Sequence, residues 1–188
     1  MIIPIVAYGT KVLKQKAEEI SSDYPNLKEL IEDMFETMYE ASGVGLAAPQ
    51  IGRSIRLFIV DGSPFADEDA DMEGFRKVFI NPQIVEESGE EWNFNEGCLS
   101  IPSIREDVSR LSKVRIRYQD QDFNTIEEEY DGTKARIIQH EYDHIEGVLF
   151  TDYLSAIKKR LLKRKLNDIS KGNVKVDYRM KFPLKKGR

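Results

Sequence analysis

The chain has 188 residues, enough for one domain that buries a real core and an internal site. With 40% hydrophobic and 32% charged residues it is too apolar for a disordered chain, and no apolar run approaches the roughly 18 residues of a membrane helix. Met1–Val6 lacks the basic start and the length of a signal peptide. The single cysteine excludes an intramolecular disulfide, so the expected compartment is the reducing cytoplasm, with no membrane partner.

The first element is a helix from about Tyr24 to Ser42, where Leu27, Leu30, Ile31, Met34, Phe35, Met38 and Tyr39 recur at three- and four-residue steps. Asp23 is the expected N-cap and Gly43 the left-handed stop. A Gly/Ala-rich loop, a strand at Ile55–Val60 and a polar stretch at Asp61–Lys77 follow. A strand near Val78–Glu86 is broken early by Asn81-Pro82. Val108–Tyr118 and Thr125–Tyr130 read as antiparallel strands, because Val114, Ile116 and Tyr118 alternate with Lys113, Arg115 and Arg117.

Gly132–Glu146 reads as a helix closed by Gly147, and Leu154–Ser170 as another. In the second, Leu154, Ile157, Leu161, Leu162, Leu166 and Ile169 are expected inward, and Lys159, Arg160, Lys163 and Arg164 outward. The predicted class is α+β: mostly antiparallel strands around a central helix, plus a C-terminal helix. One catalytic domain is expected over 1–170 and a basic tail over 171–188.

Charge is segregated along this order. Residues 155–188 carry +11 on a body of −16, so the net −5 hides a basic C-terminal segment. Such a segment suits a phosphate-rich surface, although a solvated helix face is the plainer reading.

Two patterns resemble sites and are set aside. Gly43-Val44-Gly45-Leu46-Ala47-Ala48 fits G-x-G-x-x-A, but it follows a helix, and a dinucleotide fingerprint must join a strand to a helix start. Asp67-Glu68-Asp69-Ala70-Asp71 resembles a calcium loop, yet Met72 and Val78 stand where the glycine and the bidentate glutamate belong.

The two histidines of the chain fall in one window, His140-Glu141-Tyr142-Asp143-His144, which matches H-E-x-x-H. On a helix, four residues at ~1.5 Å rise put both imidazoles on one face about 6 Å apart, within reach of one metal ion. Glu141 is placed to act on a water there without being a ligand. With two histidines the pattern arises by chance about once in a thousand such chains.

A tetrahedral ion needs a further protein ligand. Phe150 occupies the position of a metzincin's third histidine, and no glutamate follows Glu146. The strongest remaining donor is Cys98. A Cys/His/His set with an open fourth position describes a catalytic metal, and its thiolate suits Fe(2+) as well as Zn(2+).

Gly43-Val44-Gly45-Leu46-Ala47-Ala48-Pro49-Gln50, Glu96-Gly97-Cys98-Leu99-Ser100 and Gln139-His140-Glu141-Tyr142-Asp143-His144 together resemble the three signature motifs of peptide deformylases, in the family's order. The resemblance implies removal of the N-formyl group from the formylmethionine of nascent chains. It implies one Fe(2+) per chain on Cys98, His140 and His144, with Zn(2+) or Ni(2+) able to substitute. Glu141 becomes the general acid/base, and Gln50 and the Leu99 amide bind the oxyanion. Val44, Gly45 and Ile137 contact the substrate, which lies along Val44–Gly45 as an added strand.

Arg136 departs from this picture, one turn before His140 near where the family has an apolar methionine pocket. The competing readings are an H-E-x-x-H endopeptidase, which lacks its third His or Glu here, and a metal-stabilised binding module, which would need no Glu141. The expected partners are formylated nascent peptides and, through the basic segment, the ribosome; DNA is not among them.

Overall fold

The computed structural model describes residues 1–184; the last four residues of the basic tail lie outside the described residues. The first apolar stripe becomes α1, Leu27–Glu40, which buries Ile31, Met34, Phe35 and Met38. Asn26, not Asp23, stands at its N-cap, in left-handed backbone and without a side-chain cap. Its C-terminal closure also differs from the expectation. Ser42, not Gly43, is the left-handed residue, at φ 54°. The Ser42 N–H donates to the Tyr39 carbonyl and the Gly43 N–H to the Met38 carbonyl, both at 2.9 Å, the paired bonds that satisfy a helix end. Gly43 instead lets the chain pass close to Leu99, whose Cδ1 would lie 2.7 Å from a Cβ there and would have to shift.

Five strands form one antiparallel sheet in chain order: β2 (Gly45–Ala47), β3 (Leu57–Asp61), β4 (Arg76–Cys98), β5 (Ile101–Gln119) and β6 (Thr125–Asp131). They are numbered after β1, Ile5–Val6, which belongs to a separate pair. The expected break at Asn81-Pro82 is a bulge rather than an end. Asn81 sits at φ 49°, its side chain bonds both the N–H and the carbonyl of Ile20, and the ladder resumes at Gln83. β4 then runs to Cys98 and β5 starts at Ile101, well beyond the strands expected at 78–86 and 108–118. Much of β4 beyond Val85 is exposed or half-buried on both faces, so it carries no apolar alternation to read.

α2, Gly132–Ile145, packs across β2, β3 and β5, with Ala135, Ile138 and Ile145 against Phe58, Phe79, Val114 and Ile116. It is the central helix, and it carries H-E-x-x-H as expected. It ends at Gly147, at φ 74°, where a Cβ would also lie 2.8 Å from the Lys14 carbonyl carbon. Glycine is required there on both counts.

α3, Ala156–Ser170, starts at Ser155, whose hydroxyl accepts the Lys158 N–H. It rests on Leu162, Leu166 and Ile169, with Leu154 buried just before it. Ile157 and Leu161 do not face inward as expected; each is 74% exposed. At ~100° per residue they lie roughly 100° or more round the helix from the buried edge, so both cannot share the core with it. Beyond α3 the chain returns, and β7 (Met180–Lys181) pairs parallel with β1. No helix among the described residues is long and apolar enough to cross a membrane.

Candidate metal centre

α2 and the end of β4 build the centre. One turn of α2 separates His140 from His144, and β4 delivers Cys98 opposite them. One ligand atom from each of the three lies within 4.8 Å of the others, and Cys98 Sγ is 3.3 Å from His144 Nε2. Burial pushes His144 well below its usual pKa, which favours the neutral imidazole. The donor chemistry fits a divalent ion of the zinc or ferrous type.

His140 is aimed by a buried ionic network that sequence reasoning missed. Its Nδ1 lies 2.9 Å from Glu96 Oε2, leaving Nε2 to face the cup. Arg110 donates twice to Glu96, at 2.7 and 3.1 Å, and Arg136 once, at 3.0 Å. Burial raises the Glu96 carboxyl, yet hydrogen bonds to His140 and Arg110 outweigh it and hold the group far below the usual carboxylate range. Arg110 also donates to Asp143 at 2.7 Å, tying β5 to α2. A ligand histidine whose second nitrogen meets a carboxylate is fixed in ring orientation and tautomer.

Arg136 also borders the cleft, but its guanidinium is committed elsewhere. It is 1% exposed and donates to the Val108 and Trp92 carbonyls as well as to Glu96. The sequence clue was Glu96 itself, inside the motif that carries Cys98. Its two arginine partners lie 14 and 40 residues away.

Glu141 points into a cleft of about 580 Å³. Its Oε2 is buried without a hydrogen-bond partner among the described residues. Burial pushes its carboxyl up to about 7, against the pull of His140. Such an unpaired, desolvated oxygen suits the transfer of a proton to and from a bound reactant. Val44, Gly45, Gln50, Leu99 and Ile137 line the same cleft.

Gln50 is held by its own loop, its Oε1 accepting the Ala47 N–H at 2.8 Å. Its Nε2 therefore faces Cys98 Sγ at 3.5 Å and Ser100 Oγ at 3.4 Å. Among the five strands β2 is an edge, with β3 on one side. The candidate site residues expected from the sequence thus line one cleft, apart from His144, which is buried against Cys98.

A Cys/His/His cup with an unpaired carboxylate at its lip, set on an α+β scaffold, defines a metal-dependent hydrolase. The sequence profile of the polypeptide deformylases matches residues 2–160, and the chain belongs to that family. It is 58% identical over 196 residues to the peptide deformylase of Christiangramia forsetii and 57% identical to that of Flavobacterium johnsoniae, each alignment covering all of both chains. A crystal structure of a peptide deformylase from Legionella pneumophila superposes with a TM-score of 0.80 at 38% identity, covering 92% of this chain and 98% of that one.

Proposed function

We infer that this chain hydrolyses the N-formyl group from the formylmethionine of nascent peptides, releasing formate and a free amino terminus. The observation that carries the reading is the unpaired Glu141 carboxylate beside the Cys98/His140/His144 cup. Those three residues would hold one Fe(2+) per chain, or Zn(2+) or Ni(2+) in its place, and the ion would supply Lewis-acid polarisation of the formyl carbonyl and of water.

The chain's own residues do the rest. The substrate backbone adds to the edge of β2 along Val44–Gly45, which fixes the formyl carbon over the cup. Ile137 contacts the substrate from α2. Glu141 takes a proton from the attacking water, and the same carboxyl returns it to the departing amine nitrogen. Gln50 Nε2 and the Leu99 N–H donate to the developing oxyanion, preorganised donors of a kind worth ~2.7–4 kcal/mol each.

The test is formate release from formyl-Met-Ala-Ser by chain loaded with iron under anaerobic conditions. The parent should turn over, and internal peptide bonds should stay intact. Cleavage of internal bonds, or no formate from fully loaded chain, would overturn the reading.

The basic face of α3 supports a further part of this proposal: the enzyme works in the cytoplasm, docked near the ribosomal peptide exit on RNA phosphates. Lys159, Arg160, Lys163 and Arg164 are all exposed on α3. Each phosphate contact should contribute about 0.7–0.9 to the slope of log K against log salt. Replacing the four with Gln should leave turnover of a free tripeptide unchanged and reduce co-sedimentation with ribosomes at low salt. Unchanged co-sedimentation would mean a solvated face only.

A further inference from the structure

The chain beyond α3 comes back to the active cleft. The Ile5 and Ala7 N–H groups donate to the Arg179 and Lys181 carbonyls, each at 2.9 Å, and the Leu184 N–H reaches the Ser170 carbonyl at 3.0 Å. Held between these anchors, Lys175, Val176, Asp177 and Tyr178 form one wall of the cleft. Tyr178 and Leu99 pack together against the core that α1 and β2 share. The Tyr178 hydroxyl donates to the Leu99 carbonyl at 2.8 Å.

Leu99 and Ser100 form the turn between β4 and β5, outside the ladder, which passes from Gly97 opposite Arg105 to Cys98 opposite Ile101. Their carbonyls are held by the two ends of the chain: Leu99 by Tyr178, and Ser100 by the Tyr8 N–H at 2.8 Å. Without such bonds, the soft φ and ψ of Leu99 would leave the peptide planes on either side of it free to tilt.

We propose that Tyr178 is a positioning residue for the hydrolysis: by holding the Leu99 carbonyl it fixes the Leu99–Ser100 peptide plane and the Leu99 Cα, and with Cys98 held in the ladder this narrows the directions open to the Leu99 N–H at the developing oxyanion. The proposal rests on the reading above that this N–H is an oxyanion donor. Such a donor accelerates the reaction only when its direction is set before charge develops. The C-terminal segment is then part of the catalytic machinery and not merely a basic appendage.

Tyr178→Phe in the full, metal-loaded chain removes the hydroxyl and keeps the ring in place. We expect kcat on formyl-Met-Ala-Ser to fall about five- to tenfold, as for loss of one buried hydrogen bond, with KM within about twofold of the parent. Metal content should match the parent, and the melting temperature should fall by no more than the few degrees that one lost hydrogen bond costs. Gln50→Ala, assayed alongside, tests the oxyanion reading by itself.

If Gln50→Ala is slow and Tyr178→Phe keeps the parental kcat, the inference is wrong and the site reading stands. If both keep the parental kcat, the oxyanion reading fails and the inference fails with it. A fall in kcat that comes with lost metal, or with a melting temperature lowered by more than about 10 °C, would make Tyr178 a structural tie, and would equally overturn the proposal.

Discussion

Gly45 lies so close to Glu141 that a Cβ on it would stand 2.5 Å from the carboxylate Oε1 and 2.8 Å from Cδ and Cγ. Glu141 is buried, so a Cβ on Gly45 must push its carboxylate from this position toward the cleft it lines. Gly45→Ala should therefore displace the carboxylate while leaving the metal ligands in place. The expected outcome is a loss of formate release on the order of 10²-fold or more, the scale of a general acid–base group, with stoichiometric metal retained. Near-parental turnover in that variant would show that Glu141 has slack the packing does not suggest.

The ligand set makes a separable prediction. Cys98→Ser, His140→Ala and His144→Ala should each lose tight metal binding, whereas Glu141→Ala should keep the metal and lose turnover. Metal analysis and formate release on the same preparations decide it. If iron is the working ion, activity should decay in air, since the ferrous ion reduces oxygen and the resulting oxidants attack the thiolate beside it, and the nickel form should not decay. Stoichiometric metal and near-native activity in Cys98→Ser would refute the assignment.

Glu96 should matter to the metal without touching it. Glu96→Gln keeps the shape of the side chain but removes the charge that orients His140 and neutralises Arg110 and Arg136. Loss of such a partner behind a ligand histidine typically costs about 10–100-fold in metal affinity. Competition with a chelator measures this. Parental affinity in Glu96→Gln would mean that packing alone holds the ring.

A pH-dependent contribution to stability lies outside the cleft, where Lys77, Tyr118 and Tyr130 surround Glu128. Burial pushes the Glu128 carboxyl up, but hydrogen bonds from Tyr130, Lys77 and Tyr118 outweigh it and leave the group below its ordinary value. A carboxyl depressed by folding stabilises above its unfolded pKa and loses that contribution as pH falls through the folded one. The melting-temperature deficit of Glu128→Gln should thus be full near about pH 6 and shrink toward about pH 3. A deficit that stays constant over that range would assign the cluster to packing alone.

The bringing together of His140, Glu141 and His144 was legible in the sequence alone. His140, Glu141 and His144 are related by the helix period, a local geometry that survives whatever the rest of the chain does. The same holds for α1 and for the strand at Val114–Tyr118, whose apolar periods follow from one buried face each. Local chemistry alone misplaced the α1 closure, because Ser42 can adopt the left-handed turn while Gly43 is wanted for the contact with Leu99.

Contacts between distant segments were not legible in this way. Glu96 meets Arg136 across 40 residues, and Tyr178 meets Leu99 across 79. No periodicity encodes either contact, because each depends on how two distant elements pack. The outward turn of Ile157 and Leu161 belongs here too, since the edge of α3 that meets the domain is chosen by the surface beneath it. The outer part of β4 is mostly exposed or half-buried and offers little apolar pattern, so its reach to Cys98 became visible only through its ladder with β5.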